Sequence, residues 1–77
     1  MLEEILARKL IEIRNKNAWT QETAAELCDL SVRYWGKIER AQVTVSLATL
    51  TKIAGGLNMR ATDLLNDSQE IKDSNNG

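Results

Sequence analysis

The stretch TQETAAELCDLSVRYWGKIERA, Thr20 to Ala41, decides how this chain folds. It contains two short helix-like runs with one tight turn between them. Thr20 is a suitable N-cap, since its side-chain oxygen can accept from a backbone N–H of the first turn. Glu22 falls in that turn, where negative charge suits the helix dipole. This helix is predicted to run through Cys28. Asp29 and Leu30 leave room only for a turn, and Ser31 caps a third helix ending near Arg40.

Helices joined this closely cannot lie antiparallel. The second leaves at a steep angle, as in a helix-turn-helix. The residue facing the neighbouring helix must be small, and Ala25 stands there. The turn needs a residue tolerant of positive φ, for which Asp29 is poorer than glycine but better than most. Leu30, Trp35 and Ile38 supply apolar groups at the turn and along the third helix. At ~100° per residue, inward Trp35 and Ile38 leave Val32, Arg33, Gly36, Lys37 and Arg40 on the other side.

Charge follows the same division. From Asn17 to Asp29 the charged residues are Glu22, Glu26 and Asp29. From Leu30 to Val45 they are Arg33, Lys37, Arg40 and one acid, Glu39. The basic segment coincides with the outer face of the third helix.

Outside this stretch the chain also reads as helix. Leu6, Leu10 and Ile13 recur at spacings of four and three within residues 2–16, flanked by Leu2, Ile5 and Ala7. Ser46 caps a fourth helix carrying Leu47, Leu50, Ile53, Ala54 and Leu57, weakened near its end by Gly55 and Gly56. Ala61 to Asn66 reads as a short fifth helix. Val43-Thr44-Val45 is too short to build a sheet. Residues 1–66 thus form one all-α domain of five helices, and 67–77 form a polar tail expected to be flexible.

Composition narrows the function. The 77 residues allow one domain with a small core. The 43% hydrophobic content is too high for disorder. A net charge of −1 means that any affinity for nucleic acid rests on where the charge sits. The lone Cys28 and the absence of histidine argue against an internal disulfide and a zinc site. No apolar run reaches the ~18–20 residues of a membrane span, and no signal-peptide pattern opens the chain. A cytoplasmic protein without metal or cofactor is expected. Without histidine, a phosphate-binding glycine loop or paired carboxylates off the helix faces, it does not read as an enzyme.

Taken together, LIEIR in the first helix, TQET.A opening the second, LSV at the turn, KIER closing the third and SLATLTKIAGGLNM..TDLL beyond resemble one family. It is the lambda-repressor-like helix-turn-helix domains of the Cro/CI (XRE) family, matched over residues 10–65. The free-standing length and LSVRYWGKIER are also similar to small controller proteins of restriction–modification systems. The resemblance implies a compact five-helix bundle that places its third helix, about 31–40, in the DNA major groove. The chain departs from the family in lacking glycine at Asp29 and Ala41. It also has Ala24 and Cys28 where leucine is usual, and Trp35 where a medium aliphatic is usual.

On this footing Val32, Arg33, Gly36 and Lys37 are the candidates for base edges. Arg33 can donate twice to guanine O6 and N7, and Val32 can touch a thymine methyl. Lys37 can reach a base or a phosphate. The phosphate candidates are Gln21, Arg14, Arg40, Tyr34 and Thr44, followed by Lys16 and Asn17. The resemblance gives Gln21 its phosphate role, and it pairs Arg14 with Glu39 so that the third helix is oriented. Glu39, Trp35, Ile38 and Ala25 support that helix. Two readings of Gly36 stand level: clearance for DNA, or relief of crowding beside Trp35.

A monomer with few phosphate contacts binds weakly, so a homodimer on two half-sites of double-stranded DNA is expected. Val43, Val45 and Ile71 are candidate dimer contacts. The function read from the sequence is sequence-specific transcriptional regulation. The alternatives are a DNA-binding antitoxin of a toxin–antitoxin pair and a helical adaptor without DNA binding. Ala24, Cys28 and Trp35 read as a linked exchange, in which the indole fills space left by two smaller residues. Trp35→Ile should then leave a cavity that lowers stability in urea by about 1–3 kcal/mol.

Overall fold

Serine and threonine open three of the helices. The Thr20 hydroxyl oxygen accepts from the Thr23 N–H at 3.1 Å, Ser31 from Tyr34 at 3.0 Å, and Ser46 from Thr49 at 3.1 Å. Each satisfies a backbone donor that the first turn leaves without an intrahelical partner. The chain, seen in a computed structural model that describes residues 2–65, runs through α1 (Leu2–Lys16), α2 (Gln21–Leu27), α3 (Val32–Glu39), α4 (Leu47–Gly56) and α5 (Ala61–Leu64). No strand occurs among the described residues. The expected elements are all present, with ends shifted by a residue or two. Leu57 is the C-cap of α4 rather than part of it. Asn66, Ile71 and the tail 67–77 lie outside the described residues.

Helix ends share one device. Ala18, Asp29, Ala41 and Asn58 follow α1 to α4 with φ of 58°, 58°, 58° and 59°. Around each the backbone closes in the same way. At α2 the Leu30 N–H donates to the Ala25 carbonyl at 2.9 Å and Asp29 to Glu26 at 3.1 Å; at α3 Gln42 donates to Lys37 at 3.0 Å and Ala41 to Ile38 at 3.0 Å. This is the Schellman pattern, which usually carries glycine at the left-handed residue. Here alanine, aspartate and asparagine take that place. Alanine in this conformation costs roughly 1–2 kcal/mol, and Asn and Asp tolerate it better.

The core draws on every helix. Leu6 and Leu10 of α1, Ala24 and Ala25 of α2, Trp35 and Ile38 of α3, Leu50, Ile53 and Ala54 of α4 and Leu64 of α5 form one buried cluster with Cys28. Trp35, the largest of them, retains 1% exposure. Cys28 Sγ–H donates to the Ile53 carbonyl at 3.6 Å, and burial pushes its thiol up to about 11. It therefore stays protonated near neutral pH and acts as a small apolar spacer. Val43 and Val45, read from the sequence as exposed dimer contacts, are half-buried and pack against this core. The loop folds back over α1 and α4, so neither valine stands free.

Gly56 sets the approach of α4 to the end of α2. A Cβ there would lie 2.4 Å from the Leu27 carbonyl oxygen and 2.8 Å from Cys28 Cα. Backbone cannot yield as a flexible side chain does, so only glycine fits. A Cβ at Gly55 meets nothing within 4 Å. The sequence gives both glycines one meaning, and the packing separates them. In urea denaturation, Gly56→Ala should destabilise by about 2 kcal/mol or more. Gly55→Ala should stabilise by up to about 1 kcal/mol, and Ala41→Gly by about 0.5–1 kcal/mol.

Candidate nucleic-acid interface

The third helix is held by one carboxylate. Glu39 ends α3 and is 8% exposed. Its Oε2 accepts from Arg14 Nε at 2.6 Å and from the Trp35 indole Nε1 at 2.6 Å. Its Oε1 accepts from Arg14 Nη2 at 3.2 Å and from Gln21 Nε2 at 2.8 Å. Arg14 Nη1 donates to the Trp19 carbonyl at 3.2 Å, which ties the α1–α2 corner to the same point. One side chain thus joins α1, α2 and α3. Burial pushes its carboxyl up, but the hydrogen bonds from Arg14, Gln21 and Trp35, with the Arg14 charge, outweigh that and hold it below its ordinary value.

Behind this clamp Trp35 and Ile38 are buried at 1% exposure each. The opposite side of α3 meets solvent. Val32 is 42% exposed, and Arg33, Lys37 and Arg40 are exposed. Among the described residues neither Arg33 nor Lys37 pairs with a carboxylate. Two exposed cations therefore keep their donors available on a rod fixed from beneath. An α-helix with this profile fits the major groove of B-DNA.

The other candidates divide. Ala25 is buried between the helices, as its size requires. Tyr34 is half-buried and packs against the core. Gln21 turns its amide nitrogen to Glu39, and its amide oxygen makes no hydrogen bond among the described residues. The Thr44 hydroxyl donates to the Glu3 carboxylate, so its loop is tied to α1. Asn17 caps its own helix by donating to the Ile13 carbonyl at 2.8 Å. Gly36, read from the sequence as part of the open face, is buried instead. Beyond its chain neighbours, the atoms nearest a Cβ there belong to the Arg40 guanidinium, at 3.1–3.7 Å.

Sequence reasoning missed two features. The Trp35 N–H reaches Glu39 four residues on, a spacing that places both on adjacent turns. Gln42 Oε1 accepts from Arg40 Nε at 3.3 Å, for which the sequence holds no signal.

A family model described as helix-turn-helix matches residues 10–64. The chain belongs to the Cro/CI-like (XRE) helix-turn-helix family. It is similar to the control protein C.SmaI of Serratia marcescens, 39% identical over 64 residues that cover 83% of this chain and 76% of that one. The crystal structure of a hypothetical transcription factor, NHTF, from Neisseria superposes with a TM-score of 0.86 at 30% identity, covering 95% of this chain and 84% of that one. The restriction-modification controller protein C.AhdI from Aeromonas hydrophila superposes with a TM-score of 0.74 at 34% identity, covering 80% and 94%. The regulator SutR of Escherichia coli K12 is 32% identical over 73 residues, which cover 95% of this chain but 41% of that protein.

In this family member the clamp should respond to acid. Because Glu39 sits below its ordinary value of 4.5 when folded, ionisation stabilises the native state above that value. The gain is lost as pH falls through the lower folded value. Stability in urea should therefore drop on acidification from about pH 5 downward. Glu39→Gln should be less stable by about 1.5–3 kcal/mol at neutral pH and show a flatter acid profile.

Proposed function

We infer that this protein is a sequence-specific DNA-binding transcriptional regulator that inserts α3 into the major groove. The observation that carries this reading is the exposed pair Arg33 and Lys37, without a carboxylate partner among the described residues, on a helix locked from behind through Glu39. Membership of the helix-turn-helix family supports it, as do relatives named as control proteins and transcriptional regulators.

Residues near the start of a recognition helix face base edges, and later ones face the backbone. Arg33 accordingly reads guanine through two donors, and Val32 contacts a thymine methyl. Lys37, one turn on, reaches a base or the groove wall. Gln21 stands at the start of α2, where its side-chain amide, whose oxygen makes no hydrogen bond among the described residues, can join the helix-end N–H groups in meeting a phosphate. Its bond to Glu39 aims that amide, so phosphate contact and helix placement are linked. Arg40 adds a phosphate contact near the end of α3.

With so few cations, one subunit binds weakly, so we assign the protein as a homodimer on two half-sites about one DNA turn apart. It acts in the cytoplasm, without catalysis or cofactor. Selection of bound sequences from random duplex DNA should return a site with twofold symmetry. Arg33→Ala should relax base preference within each half-site, costing about 1–3 kcal/mol at that position. Gln21→Ala should weaken binding to all sequences alike. A folded protein that binds no duplex at low salt would overturn the assignment.

A further inference from the structure

The chain holds a glycine at position 36, in the middle of its recognition helix. The φ there is not positive, so the backbone does not require it. Glycine in a helix interior costs about 1 kcal/mol relative to alanine. Beyond its chain neighbours and its own helix backbone, no core atom stands among the three nearest to a Cβ at that position. All three belong to one side chain: Arg40 Nη1 at 3.1 Å, Nη2 at 3.6 Å and Cζ at 3.7 Å.

Arg40 is the C-cap of α3, one turn beyond Gly36. Its guanidinium lies back along the helix, over the bare backbone at Gly36, which is itself buried. Gln42 holds it by accepting from Nε at 3.3 Å. Both Nη groups keep their donors, because among the described residues no carboxylate pairs with them. By helical angle, Arg40 falls between Gly36 and Arg33, with Lys37 just beyond, all within an arc of about 100°.

We propose that Gly36 is a positioning residue for DNA recognition, whose missing side chain forms the bed on which the Arg40 guanidinium is laid beside Arg33 and Lys37. This inference rests on the regulator reading above. It adds one fixed cation to the basic face beside Arg33 and Lys37. A planar guanidinium held at Nε and backed by the helix presents its Nη edge in one orientation, the geometry suited to a phosphate at the groove wall. A free arginine at a helix end would have to be ordered on binding, at a cost in side-chain entropy. A Cβ at position 36 forces the guanidinium outward by a few tenths of an ångström, and a longer side chain takes its place.

The test is a double-mutant cycle read in DNA affinity across a salt series, using the full chain and its selected duplex. Arg40→Ala should lower affinity about tenfold and reduce the salt slope by about one, with base preference unchanged. Gly36→Ala should fold at least as stably as the natural chain yet bind at least twofold more weakly. Gly36→Leu should approach the loss seen for Arg40→Ala. In an Arg40→Ala background, Gly36→Ala should have no further effect on binding. An equal loss in both backgrounds would mean that glycine merely clears the groove, and would overturn the proposal. So would a Gly36→Ala variant with natural affinity and slope.

A measurement without DNA separates this inference from the regulator reading. In the free protein, NMR should show NOEs between the Gly36 α-protons and the Arg40 side-chain protons. Their absence would overturn the bed even if DNA binds tightly. If those NOEs are present but the natural chain binds no duplex, the regulator reading falls and takes this role with it.

Discussion

A buried carboxylate with no counter-charge would be driven to neutrality or would open the fold. Glu39 escapes both outcomes because its two oxygens accept from Arg14, Gln21 and Trp35, donors on three different helices. Each donor is fixed by its own helix, so the angle at which α3 leaves α2 is fixed with them. The helix cannot roll without leaving an ionised group in a dry site. Everything proposed about recognition depends on that restraint. Arg33 and Lys37 are useful only if the helix beneath them keeps one orientation.

The clamp also links parts usually treated apart. Trp35 fills the core and donates to Glu39 from the same indole, so packing and polar satisfaction cannot be separated there. Gln21 stands at the start of α2 and donates to the same carboxylate. A change in the core therefore reaches a residue facing the proposed DNA backbone in two steps. Coupling of this kind follows from shared hydrogen bonds and needs no large motion.

At Gly36 and Gly56 the glycine answers a contact rather than a positive φ. The four left-handed helix ends carry alanine, aspartate or asparagine, and no glycine among the described residues has a positive φ. Gly56 admits the backbone of Leu27 and Cys28, and Gly36 admits the guanidinium of Arg40. The fold thus tolerates strain at its caps, where the cost is about 1–2 kcal/mol at an ordinary residue. A collision between backbones has no comparable relief.

Much of this was legible in the sequence. Capping residues at Thr20, Ser31 and Ser46 mark helix starts because the bond they make is local. The three- and four-residue spacing of leucines and isoleucines marks inward faces because helix geometry is fixed. Together they determine five helices, a tight turn at Asp29 and a basic outer side for α3. Tertiary structure decided the rest: that Val43 and Val45 turn into the core, that Gly55 and Gly56 differ, that the Trp35 N–H finds Glu39, and that Arg40 covers Gly36. The first set depends on neighbours within one turn, which the order of residues specifies directly. The second depends on which groups meet across elements, and only the assembled helices bring those together.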